Sequence, residues 1–273
     1  MTLGDLLRLA ESTAQSSETE LADYRYVLSV LLKMSYGEML LQKTKELDSH
    51  QGQAIQSAFS RLSEGFPPQY IVGTAWFYGL ELIVNPSVLI PRPETEELVS
   101  LCLKNSSGVN RVLEIGTGSG AIAIALKKAN PVWQIEATEI SLEALELARQ
   151  NAALHSVEIG FMHCDGFPES ARAYDLIVSN PPYISELEYP SLPTKVKDHE
   201  PDLALLGGAD GLAFYRLLLT RGLACLNPGG FLAVEHGWKQ RQAITTLATG
   251  NGWKEVEAYR DLNGRDRFLL IRR

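Results

Sequence analysis

The chain has 273 residues, 45% of them hydrophobic and 21% charged, with a net charge of −8. That composition is ordinary for a soluble globular protein, and acidity without a basic tail disfavours direct nucleic-acid binding, which needs phosphate neutralisation. No apolar run approaches the roughly 18 residues of a membrane span, and the first residues lack the basic segment and apolar core of a secretory signal.

Residues 1–73 read as a small all-helical N-terminal domain. Three box-like starts, Thr2 with Asp5, Ser17 with Glu20 and Ser35 with Glu38, mark helix N-termini. Leu21, Tyr24, Val27, Leu28, Leu31 and Leu32 follow helical spacing, and a further helix is expected from Ser49 to Leu62, ending at Gly65. Residues 1–75 hold nine acids and six bases. The module is therefore no electrostatic clamp for nucleic acid, and substrate docking is its expected role. Residues 74–90 change period: Ala75 to Val84 suggests two short strands around Gly79, a β-hairpin linker. Residues 91–273 form the remaining domain. It opens on Pro91-Arg92-Pro93-Glu94-Thr95, where Pro93 and the acids suit a helix start and Arg92 stays unexplained.

From Arg111 strand and helix alternate, which implies a doubly wound, mostly parallel sheet with helices on both faces. Val112 to Ile115 is the first of these strands. It runs into Gly116-Thr117-Gly118-Ser119-Gly120, a turn whose glycines let the backbone approach a ligand, and then into a helix from Ala121. The spacing Gly116-x-Gly118-x-x-Ala121 also satisfies a nicotinamide dinucleotide fingerprint. Glu139, closing the strand from Gln134, can accept ribose hydroxyls from either kind of cofactor. A helix from Leu142 to Ala153 leads to a third strand, Ile159 to His163. Asp165 and Gly166 follow it, where an acid can reach an adenine amino group.

The fourth strand, Leu176 to Val178, stops at Asn180-Pro181-Pro182-Tyr183. Prolines cannot continue a ladder, but they can hold a rigid turn at the carboxyl end of a strand, where open α/β sheets bind ligands. The Asn180 side-chain oxygen and the Pro181 carbonyl can each accept one N–H of a planar amino group while Tyr183 packs on its plane. The segment from Tyr183 to Leu206 is long for a structureless loop and reads as substrate-facing. A helix from Gly211, a turn at Asn227-Pro228-Gly229-Gly230, a strand from Phe231 to Glu235 and a helix from Lys239 follow. Trp253 to Tyr259 and Arg267 to Ile271 close the chain as an antiparallel pair around Asn263-Gly264. Seven strands result, five of them parallel. Cys102, Cys164 and Cys225 are few and far apart, which fits a reducing cytoplasm. No ligand spacing for a metal occurs, so none is expected.

Together, Glu114-Ile115-Gly116-Thr117-Gly118-Ser119-Gly120, Glu139 and Asn180-Pro181-Pro182-Tyr183 resemble the S-adenosylmethionine-dependent methyltransferases that alkylate a planar nitrogen. Narrower likenesses are Gln69-Tyr70-Ile71-x-Gly73, Leu89-Ile90-Pro91-Arg92-Pro93-Glu94-Thr95, Glu200-Pro201-x-x-Ala204-Leu205-x-Gly207-Gly208-x-Asp210-Gly211 and Asp261-Leu262-x-Gly264-Arg265-Asp266-Arg267. These resemble the HemK/PrmC family of release factor glutamine methyltransferases, with Glu139 standing where an Asp is expected and His236 replacing a usually aliphatic residue. The resemblance implies a class I methyltransferase-like, Rossmann-like fold and S-adenosylmethionine as cofactor. Gly116 to Gly120, Glu139, Asp165, Gly166 and Asn180 would hold that cofactor. Asn180, Pro181, Pro182 and Tyr183 would act on the glutamine of the Gly-Gly-Gln loop of peptide-chain release factors. The alternatives are an adenine-N6 or cytosine-N4 methyltransferase, which needs the same acceptors around a flipped base, and a non-catalytic dinucleotide-binding subunit.

Overall fold

The computed structural model describes residues 1–17, 19–169 and 173–273. It divides into two compact units, Met1–Thr74 with Pro193–His199, and Ala75–Leu192 with Glu200–Arg273. The first is built from α1 (Leu3–Ser16), α2 (Leu21–Leu32), α3 (Tyr36–Leu41), α4 (Ser49–Ser63) and α5 (Pro68–Val72). Helical spacing places Leu3, Leu6, Tyr24, Leu28, Ile55 and Phe59 in one core, where the Tyr24 and Phe59 rings meet edge to face at 5.0 Å. Thr2 and Ser35 each form a reciprocal capping box, with Asp5 and Glu38. Ser17 does not. The N-cap of α2 is Glu20, whose side chain makes no cap bond, while Ser17 Oγ lies 3.3 Å from Tyr24 Oη. Pro193–His199 completes this unit through a ring contact of His199 with Phe66 at 4.1 Å and an ion pair of Lys195 with Asp23 at 3.9 Å. Helical periodicity near the N-terminus gives no hint of so distant a segment.

The hairpin comprises β1 (Thr74–Phe77) and β2 (Leu80–Ile83). Its two loop residues, Tyr78 and Gly79, both have positive φ, 51° and 75°. That conformation matches the twist of a two-residue hairpin. Beyond it lie α6 (Pro93–Lys104), β3 (Arg111–Ile115), α7 (Ala121–Ala129), β4 (Gln134–Glu139), α8 (Leu142–Leu154), β5 (Gly160–His163) and β6 (Tyr174–Ser179). The chain continues through α9 (Thr194–Lys197), α10 (Asp202–Leu205), α11 (Ala213–Cys225), β7 (Leu226–Glu235), α12 (Arg241–Gly250), β8 (Glu255–Arg260) and β9 (Asp266–Arg272).

Seven of these strands form one sheet in the order β5-β4-β3-β6-β7-β9-β8. The first five run parallel, and β9 pairs antiparallel with both β7 and β8. Successive apolar residues point to opposite faces, so both faces need cover. Val112, Leu176 and Ala233 face a core shared with α6 and α7. Leu113, Ile177 and Leu232 face another, shared with α11 and α12.

Two further sequence expectations need correction. Asn227-Pro228-Gly229-Gly230 lies within β7 rather than before it: Tyr174 pairs with Leu226 and Leu176 already with Phe231, so the extra residues bulge out of the ladder. The stretch from Tyr183 to Leu206 is not structureless either, since it holds a 3-10 turn at Tyr189–Ser191 as well as α9 and α10.

One buried side chain ties together three elements on one side of the sheet. Asn151 of α8, wholly inaccessible, accepts from Ile83 N at 2.7 Å and donates to Ile83 O and Ser119 O, both at 2.9 Å. It thereby joins hairpin, helix and glycine turn. Asn151→Leu takes the partner from the buried Ser119 carbonyl and from the half-buried Ile83 N–H and carbonyl, and a buried group left unpaired costs about 1–3 kcal/mol. Denaturant titration of Asn151→Leu should show a loss of roughly 3 kcal/mol or more, and an unchanged midpoint would contradict this role.

Candidate active site

Every loop at the carboxyl ends of β5, β4, β3 and β6 opens onto one cleft of about 510 Å3, lined by Gly116, Thr117, Gly118, Ser119, Glu139, Asp165, Gly166 and Asn180 among others. These four strands are neighbours in the sheet, and the chain winds away from β3 to either side, the switch point at which open α/β sheets take ligands. Gly116 and Thr117 donate to Thr138 O at 2.9 and 3.0 Å, which holds the glycine turn against β4. Gly118 has φ +54°, with open space where a Cβ would lie. Gly120 has a different reason to be glycine. A Cβ there would come within 3.3 Å of the Ala148 Cβ on α8, so it allows α7 and α8 to approach.

Glu139 closes β4 with its carboxylate held by three backbone N–H groups: Gly118 on one oxygen at 2.9 Å, and Ile140 and Ser141 on the other at 2.9 and 3.0 Å. A carboxylate has about four acceptor sites, so the oxygen facing Gly118 keeps the greater capacity for a ligand hydroxyl. Glu114, which also lines the cleft, is 1% exposed. It accepts from Thr117 Oγ1 at 2.6 Å and Ala123 N at 3.0 Å, and burial pushes its carboxyl up to about 8.

At the end of β6, Ser179 Oγ donates to Ile115 O at 2.7 Å and pins the strand to β3. Asn180 and Pro182 reach the cleft lining, whereas Pro181 and Tyr183 are not part of it. The Tyr183 ring packs instead against the core beneath α11 and α12. Burial, then the nearby Glu235 charge, pushes its phenol up to about 12.

Neighbouring loops brace the turn. A Cβ at Gly207 would lie 2.7 Å from the Pro182 carbonyl oxygen, and one at Gly211 would clash with the Tyr183 carbonyl. Gly207 N donates to Ile184 O at 2.8 Å. Gln240 Nε2 donates to Tyr183 O at 2.8 Å and to Gly211 O at 3.1 Å, while its Oε1 accepts from Gly237 N at 3.0 Å. Gly207 and Gly211 therefore serve close packing of backbone on backbone.

Arg92, unexplained by sequence, pairs with Glu200 at 2.5 Å, and the Glu200 side chain is 2% exposed. Glu200 also accepts from Ile90 N at 3.3 Å, so the proline-flanked segment is tied to the segment returning from α9.

Comparison with known proteins follows this geometry. Residues 94–192 match the methyltransferase small domain and residues 5–73 the PrmC N-terminal domain. A release factor glutamine methyltransferase from Streptococcus pneumoniae is 39% identical over 264 residues, which covers 96% of this chain and 94% of that protein. The chain belongs to the release factor glutamine methyltransferase family. Another member, from Bacillus subtilis, is 42% identical over 217 residues, covering 76% of this chain and 75% of its own. A solved methyltransferase from Pyrococcus furiosus covers 82% of this chain and 98% of its own with a TM-score of 0.52 and 21% identity, a likeness of fold.

Within this family fold, sequence reasoning did not assign Thr95, Glu235, Asn151 or Gln240. Each acts through partners far away in the chain, which no local spacing reveals. A buried acid at the end of an apolar strand was the available signal for Glu235. His236, also fully buried, bonds Gly237 O through Nδ1 at 2.9 Å, and burial holds its imidazole below the usual range. Its Nε2 has no partner among the described residues, and we have no physical account of that.

Gly207→Ala should push the turn out of place, because its nearest neighbours are backbone atoms that cannot yield. Overpacking of this kind costs about 1–3 kcal/mol. Its thermal midpoint should fall and its methyl transfer rate with it, and a variant matching wild type in both would show that the glycine is dispensable.

Proposed function

We propose that this enzyme transfers a methyl group from S-adenosylmethionine to the side-chain amide nitrogen (N5) of the glutamine in the Gly-Gly-Gln loop of peptide-chain release factors. The observation that carries the reading is the Asn180 side chain at the mouth of the glycine-lined cleft, its Nδ2 already engaged with Thr95 Oγ1 at 3.0 Å. Its oxygen is thus the end left to meet a substrate. The family membership of the chain supports the same reading.

The cleft residues fit the cofactor: a glycine turn with open space at Gly116 and Gly118, and an acid at the next strand end. Gly116 to Gly120, Glu139, Asp165, Gly166 and Asn180 would hold it. When bound, S-adenosylmethionine supplies a methyl group made electrophilic by its sulfonium. An amide nitrogen is a poor nucleophile because its lone pair is delocalised, the resonance behind a rotation barrier of about 18–20 kcal/mol. The Asn180 oxygen and the carbonyl of the next residue, Pro181, which itself lies outside the cleft lining, would each accept one N–H and orient that nitrogen for in-line attack. Positive charge grows on the nitrogen during transfer, so the two acceptors bind the transition state more tightly than the ground state. Proton loss can follow, and no dedicated base is required. Pro182 and Tyr183 would set the shape of the turn.

We also assign residues 1–73 to docking of the protein substrate, from their separate helical core and excess of acids. A reducing cytoplasmic setting suits the three free cysteines. Among the described residues no helix is long and apolar enough to cross a membrane.

Mass spectrometry of a release factor incubated with the enzyme and cofactor should find one methyl group on the loop glutamine. Asn180→Ala should slow the transfer roughly 10²–10³-fold while calorimetric cofactor affinity changes much less. Asn180→Asp should fall between Ala and wild type. Methylation of an RNA or DNA amino group in place of the release factor would refute the assignment, as would a fully active Asn180→Ala. A chain starting near Phe66 should keep cofactor affinity and lose turnover on intact release factor, and undiminished turnover would refute docking by residues 1–73.

A further inference from the structure

Asn180 does not choose its own orientation. An amide side chain has nearly the same shape with its oxygen and nitrogen exchanged, so which end meets the substrate depends on what the other end touches. Here Asn180 Nδ2 donates to Thr95 Oγ1 at 3.0 Å, and the Thr95 hydroxyl donates to Glu235 Oε2 at 2.7 Å. Thr95, in the first turn of α6, is 4% exposed, and Glu235, at the end of β7, is 2% exposed. A hydroxyl has a single hydrogen. With that hydrogen directed to a carboxylate, Thr95 offers Asn180 only lone pairs, and the amide must present N–H to it.

We propose that Thr95 and Glu235 are positioning residues: they fix Asn180 with its side-chain oxygen toward the substrate nitrogen. The inference rests on the methyl-transfer reading above, in which that oxygen accepts a substrate N–H. With the chain of donors reversed, Asn180 would present its own N–H groups to an amino group, donor against donor, and the substrate would lose one of its two acceptors.

While ionised, Glu235 can only accept; its protonated form also carries a donor. Arg92 and Glu94 at the start of α6, Arg267 on β9, Tyr183 after β6 and Tyr215 on α11 surround it. Tyr215 Oη donates to its backbone oxygen at 2.7 Å. Burial pushes the carboxyl up to about 7, against the pull of Arg267 and Arg92. Once protonated, Glu235 can donate to Thr95, which frees the Thr95 hydrogen for the Asn180 oxygen, so the relay is no longer held in one direction. Turnover should therefore be full above the titration of this group and fall below it.

The test uses the full-length enzyme with intact release factor, measuring kcat and KM for Thr95→Val, Thr95→Ser and Glu235→Gln, with cofactor affinity by calorimetry as the check on folding. Thr95→Val keeps the shape and loses the relay, so kcat should drop roughly tenfold or more, with KM and cofactor affinity close to wild type. Thr95→Ser should restore most of kcat. Glu235→Gln, whose amide can donate to Thr95, should lower kcat at all pH values and lose the acidic limb of the wild-type profile. Wild-type turnover with an unimpaired Thr95→Val, or an acidic limb unchanged in Glu235→Gln, would overturn the relay while leaving the methyl-transfer reading intact. A wild-type enzyme with no activity on release factor would overturn that reading and the relay with it.

Discussion

Pro181 and Pro182 have no backbone N–H, so the turn that ends β6 has no backbone donor at two successive positions. Its position depends on what its neighbours give to its carbonyls and side chains. Gln240 reaches the Tyr183 carbonyl from the start of α12, Gly207 reaches that of Ile184, and Thr95 receives the Asn180 amide from α6. The glycines at 207 and 211 then remove the side-chain volume that would keep these segments apart. Much of the larger unit beyond the sheet is arranged to meet this one need.

The same logic of borrowed partners runs through the rest of the cleft. The glycine turn after β3 is held by Thr138 carbonyl oxygen on one side and by Asn151 on the other. Glu139 is fixed by three backbone donors, and Glu114 by a threonine hydroxyl and an amide. Rigid acceptors of this kind suit transfer to a weak nucleophile, because orientation is supplied before the reaction begins. Burial raises Glu114 toward neutrality, so it adds polar structure to the cleft wall with less fixed negative charge.

The sequence made the fold readable wherever the physics is local. Apolar runs bounded by glycine and proline located the parallel strands, and Thr2 and Ser35 marked their helices through caps that act within one turn. Ser17 misled, because Glu20 occupies the cap position itself. The Asn227 to Gly230 stretch has turn residues, yet the ladder with β6 resumes on both sides of it, and pairing between strands outweighs local turn chemistry. Gly116 to Ser119, Glu139 and Asn180 all line one cleft, a meeting that the sequence foreshadows because each follows or closes a strand. The link from Asn180 through Thr95 to Glu235 is not foreshadowed, since 85 residues separate Asn180 from Thr95 and 140 separate Thr95 from Glu235. Tyr183 shows the limit of reading a side chain from its type: its ring serves the core below the turn rather than the cleft lining.

Transfer by this route needs two acceptors to meet one amide nitrogen, and geometry tests that most directly. A crystal structure of the enzyme with demethylated cofactor and a Gly-Gly-Gln peptide would show where the glutamine nitrogen lies. The Asn180 oxygen and the Pro181 carbonyl oxygen should both lie within about 2.7–3.2 Å of it, with Asn180 Nδ2 still on Thr95. A glutamine nitrogen out of reach of both oxygens, or facing Asn180 Nδ2, would contradict this route.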